Sequence, residues 1–182
     1  MRCFLAFEIK GEIKDRIYDY LDEKGLSRIR GFGMVKRENL HITLKFLGEQ
    51  KDDIASSLVF LSRLAQKIPE GERTHTVRGI GGFGPVERPA VLFAGVDDEN
   101  GTLARFFDEA EKALTLALPG LKPECRKFSP HITLARNRKG SRIPEGTYTD
   151  EVFGTQYISS VVLFSSILKP EGPVYEKIEE YR

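Results

Sequence analysis

His41-Ile42-Thr43-Leu44 and His131-Ile132-Thr133-Leu134 are the same four residues, placed ninety positions apart in a chain of 182. Together they use two of only three histidines. A strand sends successive side chains to opposite faces, so in each copy the histidine and threonine share one face. Ile42 and Leu44, like Ile132 and Leu134, then point into a core. Each segment presents one imidazole and one hydroxyl, about 7 Å apart at the usual rise per residue. The repeat sits in strand-like sequence both times, so it reads as two halves of one site.

The surrounding chain alternates strand and helix signals. Residues 2–9 read as a first strand and 12–25 as a helix, with Ile13, Ile17, Tyr20 and Leu21 as its apolar stripe and Gly25 as its stop. A polar stretch with Gly31-Phe32-Gly33 leads to the strand at 40–47. Residues 52–68 repeat the helical spacing through Ile54, Leu58, Leu61, Ala65 and Ile68, and Pro69 ends it. Strands follow at 74–83 and 91–96, joined by a Gly/Pro-rich turn. A third helix spans 102–118, with Leu103, Phe106, Phe107, Ala110, Leu114 and Ala117 inward, and Pro119-Gly120 closes it. The second motif strand covers 131–135, a loop runs from 137 to 150, and strands near 156–168 and 174–181 finish the chain. This interspersed order predicts an α/β or α+β fold with a duplicated unit. No linker divides it, so two lobes with intertwined strands are expected in one domain, 1–182.

Forty per cent of the residues are hydrophobic and 30% charged, an ordinary globular composition. No apolar run approaches a membrane span. The opening Met1-Arg2-Cys3-Phe4-Leu5-Ala6-Phe7-Glu8 turns acidic too soon for a secretory signal, so a cytoplasmic protein is expected. Cys3 and Cys125 should then be free, buried thiols. Three Asn and three Gln among many charged residues match a balance common in thermophiles. The net charge of +1 hides a basic stretch. Lys122, Arg126, Lys127, Arg136, Arg138, Lys139 and Arg142 bracket the second motif against Glu124 alone, and a local field of that sign attracts phosphates.

Paired imidazoles suit the cleavage of a phosphodiester. One group must take a proton from the nucleophile and another must protonate the leaving oxygen, and histidine titrates near neutrality. Thr43 and Thr133 supply hydroxyl donors for charge developing on the phosphoryl oxygens. The set requires no metal or other cofactor. A metal-ligand reading of His41 and His131 finds no Asp, Glu or Cys at ligand spacing.

The paired His-x-Thr-x segments resemble those of the two-histidine phosphoesterases. More narrowly, the chain resembles the RNA 2',3'-cyclic phosphodiesterases also called 2'-5' RNA ligases. The likeness covers Arg2-Cys3-Phe4-Leu5-Ala6-Phe7, Glu38 through Gly48, and Phe128-Ser129-Pro130 through Arg136. It implies an α+β, bilobal fold: two antiparallel sheets with pseudo-twofold symmetry line a central cleft, with helices outside. It also implies a reaction, the opening of an RNA 2',3'-cyclic phosphate to a 2'-phosphomonoester, with reversible 2'-5' ligation when a 5'-hydroxyl replaces water. On that mapping His41 is the proton donor and His131 the proton acceptor. Thr43 and Thr133 contact the phosphate, and Arg136 binds substrate. The implied partners are RNAs with 2',3'-cyclic phosphate or 5'-hydroxyl ends, tRNA fragments among them, met by a monomer away from membranes.

Two other readings stay open: a non-catalytic binder of RNA ends, and a phosphoesterase acting on a small cyclic nucleotide. His75 reads as a strand histidine outside the site. Gly79-Ile80-Gly81-Gly82-Phe83-Gly84-Pro85 lacks the Gly-Lys-Ser/Thr ending of a phosphate loop and reads as a bulged turn, with Phe83 available to stack on a base. Lys36, Arg37 and Lys45 read as solvated charges.

Overall fold

The computed structural model describes residues 1–170 and 172–182. Its strands are β1 (Arg2–Glu8), β2 (Phe32–Met34), β3 (His41–Glu49), β4 (Thr74–Phe83), β5 (Val91–Val96), β6 (His131–Asn137), β7 (Thr149–Tyr157), β8 (Val161–Lys169) and β9 (Gly172–Tyr181). Its α-helices are α1 (Gly11–Glu23), α2 (Phe60–Gln66) and α3 (Thr102–Ala117).

The strands lie in the order β7-β4-β5-β6-β3-β1-β8-β9, with β2 added beside β6, in an open sheet. Every pairing among the described residues is antiparallel. The two antiparallel sheets expected from the resemblance are its halves, β7-β4-β5-β6 and β3-β1-β8-β9. They are hydrogen-bonded edge to edge where Ile42 pairs with Ile132. Position by position, β1 corresponds to β5, β3 to β6, β8 to β4 and β9 to β7.

The helices link the halves. After β1 the chain crosses in α1 to pack on β7, with Ile13 against Gly154 and Tyr20 edge-on to Phe153. After β5 it crosses back in α3, whose Phe106 meets Phe7 of β1. The α1 stripe of Ile13, Ile17, Tyr20 and Leu21 is buried, each such residue stabilising the fold by roughly 1.5–3 kcal/mol. Gly25, at φ 67°, takes the left-handed conformation that ends this helical run cheaply. Asp98 starts α3 by accepting the Leu103 and Ala104 amides, both at 2.9 Å. Strand β1 runs apolar without alternation because Cys3 through Phe7 are covered on both faces.

Three elements differ from expectation. Residues 54–58 form a 3₁₀ turn, and only Phe60–Gln66 is α-helical. Strand β2, three residues with a central Gly33, is too short to show a period and exists through its register with Ala135, Arg136 and Asn137. Strand β7 begins only at the end of the expected 137–150 loop and fills the stretch up to Tyr157, where no strand was expected before 156. As an edge strand it buries little beyond Phe153 and Gln156, so its sequence hardly alternates. Cys3 is buried as expected, but Cys125 is exposed on the connection before β6.

Candidate active site

The shared face of β3 and β6 carries the site. Around Ile42 and Ile132 the antiparallel register directs His41 toward Thr133 and Thr43 toward His131. Both strands continue well past that single pair, and a cleft of about 1410 Å³ opens beside it. Thr43, His131, Thr133 and Arg136 line this cleft.

Each motif strand carries the same irregularity. On β3 the register slips between the pairs Ala6–Thr43 and Leu5–Lys45, and on β6 between Phe93–Thr133 and Leu92–Ala135. One extra residue is inserted after each threonine, Leu44 and Leu134 respectively, both buried. Simple alternation would have put Arg136 on the face opposite Thr133. The bulge returns Arg136 to the cleft face, and the equivalent slip does the same for Phe46, which is 58% exposed.

Both imidazoles are fixed in the same way. The Nδ1–H of His41 donates to the Asn39 carbonyl at 2.6 Å, and that of His131 to the Ser129 carbonyl at 2.8 Å. With Nδ1 protonated, the other ring nitrogen, Nε2, is the one left to exchange protons. In His41 that Nε2 accepts the Thr43 hydroxyl at 2.9 Å. The Asn39 carbonyl is itself held, since the Asn39 amide donates to the Pro173 carbonyl on β9 at 2.8 Å.

Aromatic rings from neighbouring strands support each imidazole. His41 lies 4.9 Å from the Phe4 ring and edge-on to Tyr175 at 5.5 Å. His131 lies edge-on to Phe83 at 5.2 Å and 5.4 Å from Phe93. Phe83 and Phe93 stack on each other at 4.5 Å. The glycine run of β4 makes that stack possible, because a Cβ on Gly81 would come within 2.6 Å of the Phe93 ring. Gly81 thus serves as a seat for the Phe93 ring.

Burial pushes the His41 imidazole down to about 4, against the pull of its bond to the Asn39 carbonyl. The nearby charges of Lys14 and His131 lower it further. His41 of the free protein is therefore neutral at pH 7. Burial also raises the phenol of Tyr175, and the charges of Arg136 and Arg2 partly offset it.

Of the basic stretch, Lys122, Arg126, Lys127 and Arg136 line the cleft, whereas Arg142 pairs with Glu87 at 2.9 Å. His75 is buried away from the cleft, its Nδ1 donating to the Asp97 carbonyl at 3.2 Å. Lys45 is not solvated. It is 8% exposed and ion-paired with Glu111 at 2.7 Å. Arg37 is also engaged, with Asp15 and with the Gly11 carbonyl at 3.1 Å. Among the described residues no three His, Cys, Asp or Glu side chains gather as a metal site, and no helix is long and apolar enough to cross a membrane.

Sequence reasoning missed the carbonyl acceptors at Asn39 and Ser129 and the ring supports Phe4, Phe93 and Tyr175. A signal exists for the first pair: both acceptors stand two residues before their histidine. The rings come from other strands and leave no local signature.

The chain is similar along its length to known proteins. A family model described as the AKAP7 2'5' RNA ligase-like domain matches residues 8–182. An RNA 2',3'-cyclic phosphodiesterase of Aeropyrum pernix is 37% identical over 153 residues, covering 81% of this chain and 84% of that protein. One from Methanocaldococcus jannaschii is 32% identical with both chains fully covered. A crystal structure of TT0787 of Thermus thermophilus superposes with a TM-score of 0.78 at 28% identity, over 100% of this chain and 97% of that one.

Proposed function

This chain belongs to the 2'5' RNA ligase-like family of two-histidine phosphoesterases, and on that footing we propose that it hydrolyses RNA 2',3'-cyclic phosphate ends to 2'-phosphomonoesters. The observation that carries the reading is the Ile42–Ile132 pair, which brings the two motif strands together beside a cleft lined by Thr43, His131 and Thr133. The cyclic phosphate sits between them. His131 Nε2 takes a proton from water as its oxygen bonds to phosphorus. The bond from phosphorus to the 3'-oxygen breaks, and His41 Nε2 delivers a proton to that oxygen. The Thr43 and Thr133 hydroxyls donate to the non-bridging oxygens, and Arg136 adds positive charge where negative charge gathers.

His41 starts neutral in the free protein, so as the acid it must gain its proton with the substrate. A phosphate anion beside Nε2 supplies the opposite charge that favours this. The same neutrality favours a second reading in which the two histidines exchange roles, with His41 as base.

The proposal extends to a single bilobal catalytic domain over residues 1–182, acting as a cytoplasmic monomer without a cofactor on RNA ends, tRNA fragments included. If a 5'-hydroxyl takes the place of water, the product is a 2'-5' linkage, and the same groups cleave it in reverse. The test is incubation with an oligonucleotide ending in a 2',3'-cyclic phosphate, followed by mapping of the product. A 2'-phosphate with full activity in chelator supports the reading; a 3'-phosphate, or no turnover with tight binding, sinks it.

A further inference from the structure

We propose that residues 119–130, between α3 and β6, form a binding site for the RNA backbone 5' of the cyclic end, positioned by the buried Lys45–Glu111 pair. The proposal rests on the functional reading above. The bulge on β3 places Lys45 in the interior, where its Nζ lies 2.7 Å from Glu111 and donates to the Lys122 carbonyl at 2.9 Å. Glu111 in turn accepts the Glu124 amide through Oε2 at 2.8 Å. Both members of the ion pair therefore hold the backbone of one connection, two residues apart.

Burying two charges carries a desolvation cost, so their presence needs a reason. The motif strand itself does not need them. The equivalent position after the second motif is Ala135, fully buried, on a strand with the same bulge. The difference lies in the connections. In the other half, residues 24–40 are fastened by β2, which hydrogen-bonds to β6. Residues 119–130 contain no strand among the described residues. The ion pair, Phe128 stacked on Phe107 at 4.7 Å, and the Val96 amide on the Pro130 carbonyl fix them instead.

The connection so held is basic. Lys122, Arg126 and Lys127 line the same cleft as Thr43, His131, Thr133 and Arg136. Arg126 is paired with Glu124 at 3.2 Å, whereas Lys122 and Lys127 are exposed and enter no ion pair among the described residues. An RNA whose cyclic end occupies the His/Thr sets carries its preceding phosphates along this wall, and a mononucleotide does not reach it.

The experiment compares, on the full chain, a 2',3'-cyclic mononucleotide with a single-stranded oligonucleotide ending in the same group. The readout is the oligonucleotide's kcat/KM divided by that of the mononucleotide. Lys122→Ala with Lys127→Ala should lower the ratio about tenfold through the oligonucleotide's KM, a factor typical of lost charge-assisted phosphate contacts. It should also flatten the dependence of log affinity on log salt by about 1.4, roughly 0.7 per single-strand phosphate contact. Lys45→Met with Glu111→Leu leaves no orphaned charge and should lower the same ratio by untying the connection. Glu111→Gln takes its place, with the same expectation, if that pair of changes does not fold.

If wild type opens neither substrate, the functional reading fails and takes this one with it. If wild type opens both but the Lys122/Lys127 variant keeps its ratio and salt slope, the connection is not an RNA site. If only the Lys45/Glu111 variants keep the wild-type ratio, the ion pair is structural and the positioning role is overturned.

Discussion

Ile42 and Ile132 face each other as the one backbone pair among the described residues that joins β3 to β6 and so the two halves of the sheet. Both side chains are fully buried, while Thr43, His131 and Thr133 beside them line the cleft and His41 is half-buried next to Thr43. The apolar position of the motif thus sets the separation of the two His/Thr sets. Truncating Ile132 to Ala should cost about 2–5 kcal/mol through the cavity left behind. Urea unfolding measures that loss. Activity of the folded variant should fall as well, because His131 shares the same strand.

The two histidines can be told apart by leaving group. Replacing either with Ala should slow opening of an RNA cyclic phosphate by about 10²–10⁴-fold. A phosphodiester with an activated phenolic leaving group needs no proton on its departing oxygen. On such a substrate His41→Ala should regain most of its activity and His131→Ala should not. Rescue of His131→Ala alone would mean that the roles are exchanged.

The depressed His41 has a consequence for stability with a definite sign. The folded state resists protonation down to about 4, whereas the unfolded imidazole titrates near 6.5. Between those values the unfolded chain binds more protons, so this residue's contribution is present above pH 6.5 and lost as pH falls toward 4. From pH 7 to 4.5 the loss is about 2 kcal/mol. Carboxylates titrate in the same window, so the measurement is the difference between wild type and His41→Asn in denaturant unfolding. Equal slopes in the two proteins would contradict a buried, neutral imidazole.

Gly81→Ala tests the ring support of His131. The new Cβ meets the Phe93 ring, which must swing away and take its contact with His131 along. The expected result is a stability loss of about 1–3 kcal/mol from overpacking, together with a lower kcat. Adding Phe93→Leu to Gly81→Ala should recover stability without recovering kcat.

Arg136 stands on the cleft face only through the bulge at Leu134. Arg136→Met should raise KM for the cyclic phosphate roughly tenfold or more, the scale of a charged hydrogen bond of about 1.5–3 kcal/mol. Arg136→Lys should recover part of it. An unchanged KM would place substrate elsewhere in the cleft.

Much of this was written in the chain. The repeated motif, its strand setting and its alternation located both histidines and both threonines, because period-two geometry is local and needs no partner strand. The stripes of α1 and α3 were legible for the same reason. Strands β2 and β7 were not, since one is three residues long and the other an edge with little to bury. The pairing of Ile42 with Ile132, the bulges that aim Arg136 and Phe46, and the rings under each imidazole were decided by tertiary structure alone. So were the neutrality of His41 and the burial of Lys45. Each depends on atoms brought in from distant strands and helices, and it is their packing, rather than any residue's neighbours in sequence, that sets the local polarity and the available space.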